Sequence, residues 1–247
     1  PEGEAHPYPV ILCHGYPELG YSWRNQVKPL VEAGFHVLVP DHRGFGKSTI
    51  LPRKEDYVLS EVLKDICGLL DYFGYEKGII VGHDFGGAIT WGMGLYYPER
   101  VAALIACNSP FADMPMNPLD LYQQLYGPKN YFAYFQTQAC EDKFNEDPAR
   151  TFRFYMRRDT GQGTNLSRSR QHDAESIGHV HWIHDDESTW PGELILDDKS
   201  MAYYANAYRT TGFGPGLNWY RCLPYGYETQ KKTFPNGLPK ITAPVLA

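Results

Sequence analysis

The stretch Gly82-His83-Asp84-Phe85-Gly86-Gly87 decides the fold. An apolar run rich in β-branched residues (Gly78 to Val81, GIIV) leads into it, and an apolar segment of helical length (Phe85 to Tyr97) leaves it. This is the context of a nucleophile elbow, G-x-Nu-x-G, where a sharp strand-to-helix turn lifts the central side chain above a sheet. Small residues flank the centre because the turn is strained and the strand and helix pass close together. The central residue, Asp84, then stands at a helix N-terminus, whose dipole favours an anion. Read blandly, the same residues are an Asp cap in a glycine-rich turn.

Outward from the elbow, the chain alternates strand and helix. Tyr8 to Cys13 (YPVILC) is a short apolar run closed by His14-Gly15, and Phe35 to Val39 is another, closed by Pro40-Asp41. Trp23 to Ala33 is amphipathic and stops at Gly34; Leu59 to Phe73 has helical spacing and stops at Gly74. Ala102 to Cys107 is a further strand, ended by Asn108-Ser109-Pro110. Near-continuous apolar strands between helices predict a mostly parallel sheet covered on both faces. After Pro110 the composition shifts to Tyr, Phe, Arg and Asp, with helical stretches and polar loops such as Gly161 to Ser176. Three segments are expected: 1–110 as the first part of an α/β core, 111–221 as an inserted helical cap, and 222–247 as the return to the core. Strand character resumes at Ile241 to Ala247.

The bulk numbers bound the function. The 247 residues suffice for one α/β domain with an insertion, and 43% apolar content is ordinary for a globular chain. A net charge of −6 argues against a nucleic-acid partner, which needs a clustered positive field. No apolar run approaches the ~18 residues of a membrane span. Nineteen tyrosines fit a pocket for apolar ligands with a few polar handles. Five cysteines, with no C-x-x-C pair, read as buried free thiols in a reducing compartment, so a cytoplasmic location is expected. The sequon Asn165-Leu166-Ser167 matters only in a secreted protein.

A second motif, His14-Gly15-Tyr16-Pro17, follows the first visible strand. A turn there can aim a backbone N–H at the nucleophile, so the Tyr16 and Phe85 amides form a two-donor oxyanion hole. With HGYPE (14–18), YSWRNQ (21–26), DHRGFGKS (41–48), GHDFGG (82–87), YYPERV (96–101), NSPF (108–111), YFAYFQ (131–136) and GPGLNWYR (214–221), the chain resembles the soluble epoxide hydrolases of the α/β-hydrolase-fold superfamily along nearly its whole length. The resemblance implies an α/β-hydrolase fold with a helical cap, and a small lipophilic epoxide and water as substrates. It also implies Asp84 as nucleophile, no cofactor and no metal. In that family a tyrosine from each of two cap helices reaches the pocket; the matching positions are Tyr131 and Tyr220, with Tyr134 a local rival to Tyr131.

The chemistry is consistent with that resemblance. A serine opening an epoxide would leave an ether, which water does not readily cleave; a carboxylate leaves an ester, which it does. Covalent catalysis then splits one hard substitution into two accessible steps. The epoxide oxygen needs donors that stay protonated at neutral pH, and phenols, with a pKa of about 10, do. Two rival readings remain: a haloalkane or haloacid dehalogenase with the same nucleophile, and a non-catalytic ligand-binding member of the fold. Dehalogenases of this type usually place Trp after the nucleophile to hold the halide, and Phe85 has no donor.

The full mechanism needs an acid and then a histidine after the nucleophile. The last histidine is His184, in the cap segment, and Lys240 to Ala247 resembles the strand that precedes the family's acid. The chain is therefore expected to be a segment of a longer protein or a cleaved form. His179, His181 and His184, with Asp185 and Asp186, suggest a metal reading, but Ile183 stands where the H-x-H-x-D-H zinc signature has Asp, and an exposed polar loop is the plainer account. His83 is expected beside the pocket without serving as its base.

Overall fold

The computed structural model describes residues 6–158, 183–190 and 192–247. The expected polar segment at Gly161 to Ser176, the sequon at Asn165, and His179 and His181 all lie outside them. The described chain divides into two compact units: residues 1–114 with 225–247, and residues 115–224.

The first unit is built on a five-stranded sheet. Its strands are β1 (Val10–Cys13), β2 (Val37–Leu38), β3 (Gly78–His83) and β4 (Val101–Cys107), with a late fifth strand at Val245–Leu246. Every pairing is parallel, in the spatial order β2, β1, β3, β4 and then the late strand. Parallel neighbours need crossovers, and helices α1 (Arg24–Glu32), α2 (Leu59–Tyr72) and α3 (Phe85–Tyr96) supply them. After β1 the chain steps outward to β2; after β3 it steps the other way to β4. The carboxyl ends of β1 and β3 therefore border a topological switch point, where open α/β sheets place their ligands.

The buried side chains explain the strand and helix faces. Ile11, Ile80 and Leu104 lie fully buried in the three central strands. Helix α2 turns Val62, Leu63, Ile66 and Leu70 inward, a spacing of three and four residues that forms one apolar stripe. Helix α3 is buried along most of its length. Gly86 lets it approach the sheet, since a Cβ there would stand 2.0 Å from the Cys13 carbonyl oxygen.

Elements begin and end a few residues from the sequence expectation. β3 runs on through Gly82 and His83, which pair with Ala106 and Cys107. β2 keeps only Val37 and Leu38 of Phe35 to Val39, and Pro40 stands two residues beyond its end. The returning strand is likewise confined to Val245–Leu246, after Pro244, whose carbonyl accepts from the Leu104 amide at 2.9 Å. Proline lacks the N–H that would extend the ladder. None of the five cysteines is in a disulfide; Cys13, Cys140 and Cys222 are buried, whereas Cys67 and Cys107 are only half-buried.

The second unit is helical: α4 (Pro118–Tyr126), α5 (Tyr131–Phe135), α6 (Gln138–Glu146), α7 (Pro148–Tyr155), α8 (Asp198–Thr211) and α9 (Gly214–Arg221). Its helix starts are written in the sequence. Asn117, Asn130, Thr137, Asp147 and Asp197 each accept a backbone N–H of the first turn they cap. Its core is aromatic: Phe144, Phe152, Tyr204, Tyr208 and Phe213 are fully buried, with Phe152 stacked on Tyr204 at 5.0 Å between ring centroids. Among the described residues, no helix is long and apolar enough to cross a membrane.

Two glycine substitutions should move stability in opposite directions. Gly86→Ala forces a methyl onto backbone and should cost about 3 kcal/mol, the upper end for overpacking. Gly68, exposed within α2 with nothing within 4 Å of its added Cβ, should gain about 0.5–1 kcal/mol on change to Ala. Urea unfolding midpoints would show it; a neutral Gly86→Ala would mean that α3 is not pressed against β1.

Candidate active site

The site grows from the end of β3. Asp84 sits at φ 57° and ψ −120°, a conformation that costs a non-glycine residue energy and persists only where its surroundings enforce it. Three donors hold its backbone carbonyl: the amides of Gly87 (2.9 Å) and Ala88 (3.3 Å), and the Ser109 hydroxyl (3.0 Å). Ser109 is held in turn, because the Trp91 indole N–H donates to its carbonyl at 2.6 Å. The sequence presented Ser109 only within NSPF; its role as a brace requires β4 to end beside β3.

The Asp84 carboxylate faces the turn after β1. The Tyr16 amide donates to Oδ1 at 3.0 Å, and the Phe85 amide also bonds the carboxylate. The two backbone donors singled out from sequence therefore converge on one side chain. Burial raises the Asp84 pKa above the ordinary 3.8, while the two amides oppose that rise. Gly15 makes the approach possible: a Cβ there would lie 2.3 Å from the Asp84 Cβ. The Tyr16–Pro17 peptide bond is cis.

His14 is framework for this turn. The His42 amide can only donate, so His14 Nε2, at 3.0 Å, accepts; Nδ1 then carries the proton and donates to the Gly15 carbonyl at 2.8 Å. Burial lowers the His14 pKa and keeps the ring neutral. Protonation would turn an N–H towards the His42 amide.

His83 and Glu18 meet beside Asp84, with Nδ1 and Oε2 3.4 Å apart. The bond to Glu18 raises the His83 pKa above its usual value. Burial pushes the Glu18 pKa up, but the His83 bond and charge, with lesser help from His14 and Gly15, turn the net shift downward. Glu18 lies within HGYPE, where no local feature gives it a role, and its partner is 65 residues away. An acid in the turn after a strand was the only available signal.

Within the second unit, Tyr131 and Tyr220 are neighbours, with ring centroids 6.3 Å apart and an interplanar angle of 80°. Tyr131 opens α5 behind the Asn130 cap, and Tyr220 is buried on α9. Tyr134 is engaged elsewhere: its hydroxyl lies 2.9 Å from His184 Nε2. Asp186 caps the short turn Glu187–Thr189 through the Ser188 amide. Among the described residues, no cluster of three or more His, Cys, Asp or Glu is placed to hold a metal.

The family described as alpha/beta hydrolase fold matches residues 8–202. Epoxide hydrolase A of Mycobacterium tuberculosis is 36% identical over 235 residues, which is 92% of this chain and 70% of that protein. The bifunctional epoxide hydrolase 2 of Sus scrofa is 33% identical over 223 residues; the match takes in 89% of this chain but only 39% of that longer protein. The crystal structure of epoxide hydrolase A from Mycobacterium thermoresistibile superposes with a TM-score of 0.83 at 34% identity, covering 98% of this chain and 75% of that one. An epoxide hydrolase of Vigna radiata superposes with a TM-score of 0.80 at 26% identity, covering 98% and 73%. With an acidic elbow on a parallel sheet, and relatives alike in both sequence and structure, the chain belongs to the epoxide hydrolase family of the α/β hydrolase fold.

Proposed function

We propose that the protein hydrolyses a small, lipophilic epoxide to a vicinal diol through an ester on Asp84. In this reading residues 111–221 serve as the cap and 1–110 with 222–247 as the catalytic core. The observation that carries the proposal is a buried carboxylate at a strained elbow, held by two backbone amides.

In the first step one Asp84 oxygen attacks an epoxide carbon and the C–O bond breaks. Tyr131 and Tyr220 hydrogen-bond the departing oxygen, and one phenol gives it a proton. In the second, water adds to the ester carbonyl while a general base takes its proton. The Tyr16 and Phe85 amides, which hold the carboxylate at rest, then hold the oxyanion. On collapse the departing alkoxide takes the base's proton to complete the diol, and the carboxylic acid left on Asp84 returns its proton to the phenolate, restoring both groups. Preformed donors of this kind need no reorganisation as charge develops. Halide release is the poorer fit: Phe85 offers no donor, and the Trp91 N–H is committed to the Ser109 carbonyl. Five cysteines outside any disulfide support placing the protein in the cytoplasm.

Asp84→Ala should fold and show no turnover of any epoxide. Intact-mass measurement of the unsubstituted protein, quenched during turnover, should show an adduct equal to the whole epoxide, because ring opening expels nothing. A haloalkane would instead add its mass less HX. A halide-releasing protein with no epoxide adduct would overturn the reading.

Tyr131→Phe and Tyr220→Phe keep the rings and delete one donor each. Each should slow ring opening by ~10²–10³-fold at most, the cost of one hydrogen bond to developing charge. Single-turnover rapid quench would resolve it; loss on Tyr134→Phe with a silent Tyr131→Phe would move the role one helical turn.

Asp84 must be ionised to attack, and burial raises its pKa above 3.8. The acid limb of the ester-forming rate should therefore fall off with an apparent pKa above that value. An acid limb at or below 3.8 would contradict the burial of the nucleophile.

A further inference from the structure

Arg221, the residue directly after Tyr220, ties the helix of one tyrosine to the helix of the other. Its guanidinium reaches three acceptors on the far side: Nε donates to the Phe135 carbonyl at 3.2 Å, Nη1 to Glu141 Oε2 at 2.7 Å and Nη2 to the Thr137 carbonyl at 3.2 Å. Phe135 ends α5, the five-residue helix that Tyr131 begins. A helix that short is marginal by itself, and its last carbonyls have no partner within it. A cation on the Phe135 carbonyl, the last of that helix, supplies one such bond and opposes the negative end of its dipole. The pair is largely shielded, with the Arg221 side chain 17% and the Glu141 side chain 23% exposed.

Glu141 also meets the other end of α9. A Cβ at Gly214, the first residue of that helix, would lie 2.2 Å from Glu141 Oε1. Both ends of α9 therefore abut one carboxylate, which restrains the helix from rotating or sliding. The Gln136 side chain adds a third tie, donating to the Phe132 carbonyl at 3.0 Å and to the Tyr220 carbonyl at 3.5 Å. Packing alone would be a looser restraint, since Tyr220 meets Phe132 and Phe135 only edge to face.

We propose that the Arg221–Glu141 pair positions the two phenols, holding the Tyr131–Tyr220 separation at which both can reach one oxygen. The proposal rests on the reading that these tyrosines act on the epoxide. It makes Arg221 and Glu141 positioning residues for ester formation, with no part in ester hydrolysis, which uses the backbone amides, water and a general base.

The test is single-turnover kinetics in the intact protein, with ester formation and ester decay followed separately by quenched intact mass. Arg221→Gln should slow ester formation by about 10- to 100-fold, the range for a reacting group displaced by about 1 Å, and leave ester decay within about threefold. Arg221→Lys, which keeps the charge but loses the planar fork, should recover part of the rate. In a Tyr220→Phe background, Arg221→Gln should add less than about twofold, because coupled residues are not additive. Equal slowing of both steps, or a full additional penalty in that background, would mean a general structural role and overturn the proposal. If Arg221→Gln does not fold, Glu141→Gln carries the same comparison with the same outcomes. Tyrosine variants that slow ester formation alongside silent Arg221 and Glu141 variants would sink the positioning role alone. Silent tyrosine variants would sink the reading beneath it as well.

Discussion

The backbone of Asp84 is the constraint on which the first unit depends. Its φ of 57° and ψ of −120° cost of order 1–3 kcal/mol, and the surrounding structure must sustain that cost. It does so through the sheet: β3 is paired on both sides up to Gly82, with Cys13 on one flank and Ala106 on the other. The chain cannot relax by sliding along the strand without breaking both ladders. On the helix side, Gly86 seats α3 against the Cys13 carbonyl, and Ser109, pinned by Trp91, takes up the Asp84 carbonyl. The strain therefore aims a side chain, and the side chain it aims is the carboxylate.

Electrostatics at the elbow are divided between two pairs of groups. Burial raises the Asp84 pKa, and the amides of Tyr16 and Phe85 work against that rise without adding a charge. The adjacent His83 and Glu18 favour each other's charged forms: their bond raises the His83 pKa and lowers that of Glu18 against its burial. A neutral His14 fixes the turn that carries the Tyr16 amide. The carboxylate thus sits among donors belonging to the backbone, whose positions are set by the fold and not by side-chain rotamers.

The helical unit solves a different problem. Its helices are short, so each depends on its caps and on aromatic packing more than on its own length. Asn130 shows the economy of the arrangement: buried, it caps α5 through the Ala133 amide at 3.1 Å and donates to the Gly127 carbonyl at 2.7 Å. Tyr131 follows it directly, so its place in the unit is set at the first turn of the helix. Arg221 then finishes α5 at its other end.

The local sequence determined the parallel α/β core, the elbow and the cap signals, because each rests on neighbours in the chain: apolar runs of strand length, a glycine-flanked acid, and Asn or Asp before a helix. It also singled out Tyr16 and Phe85, since an amide directly after a motif has few places to point. The strands near Pro40 and Pro244 came out shorter than their apolar runs, because a missing N–H stops a ladder that hydrophobicity would continue. Only the tertiary structure decided which long-range groups meet. Glu18 with His83, Ser109 with the Asp84 carbonyl, Tyr131 with Tyr220 and Arg221 with the end of α5 are separated by between 25 and 89 positions in sequence. No periodicity encodes such pairs. They exist because a parallel sheet brings the carboxyl ends of distant strands together, and because short helices must find in one another the partners their own ends lack.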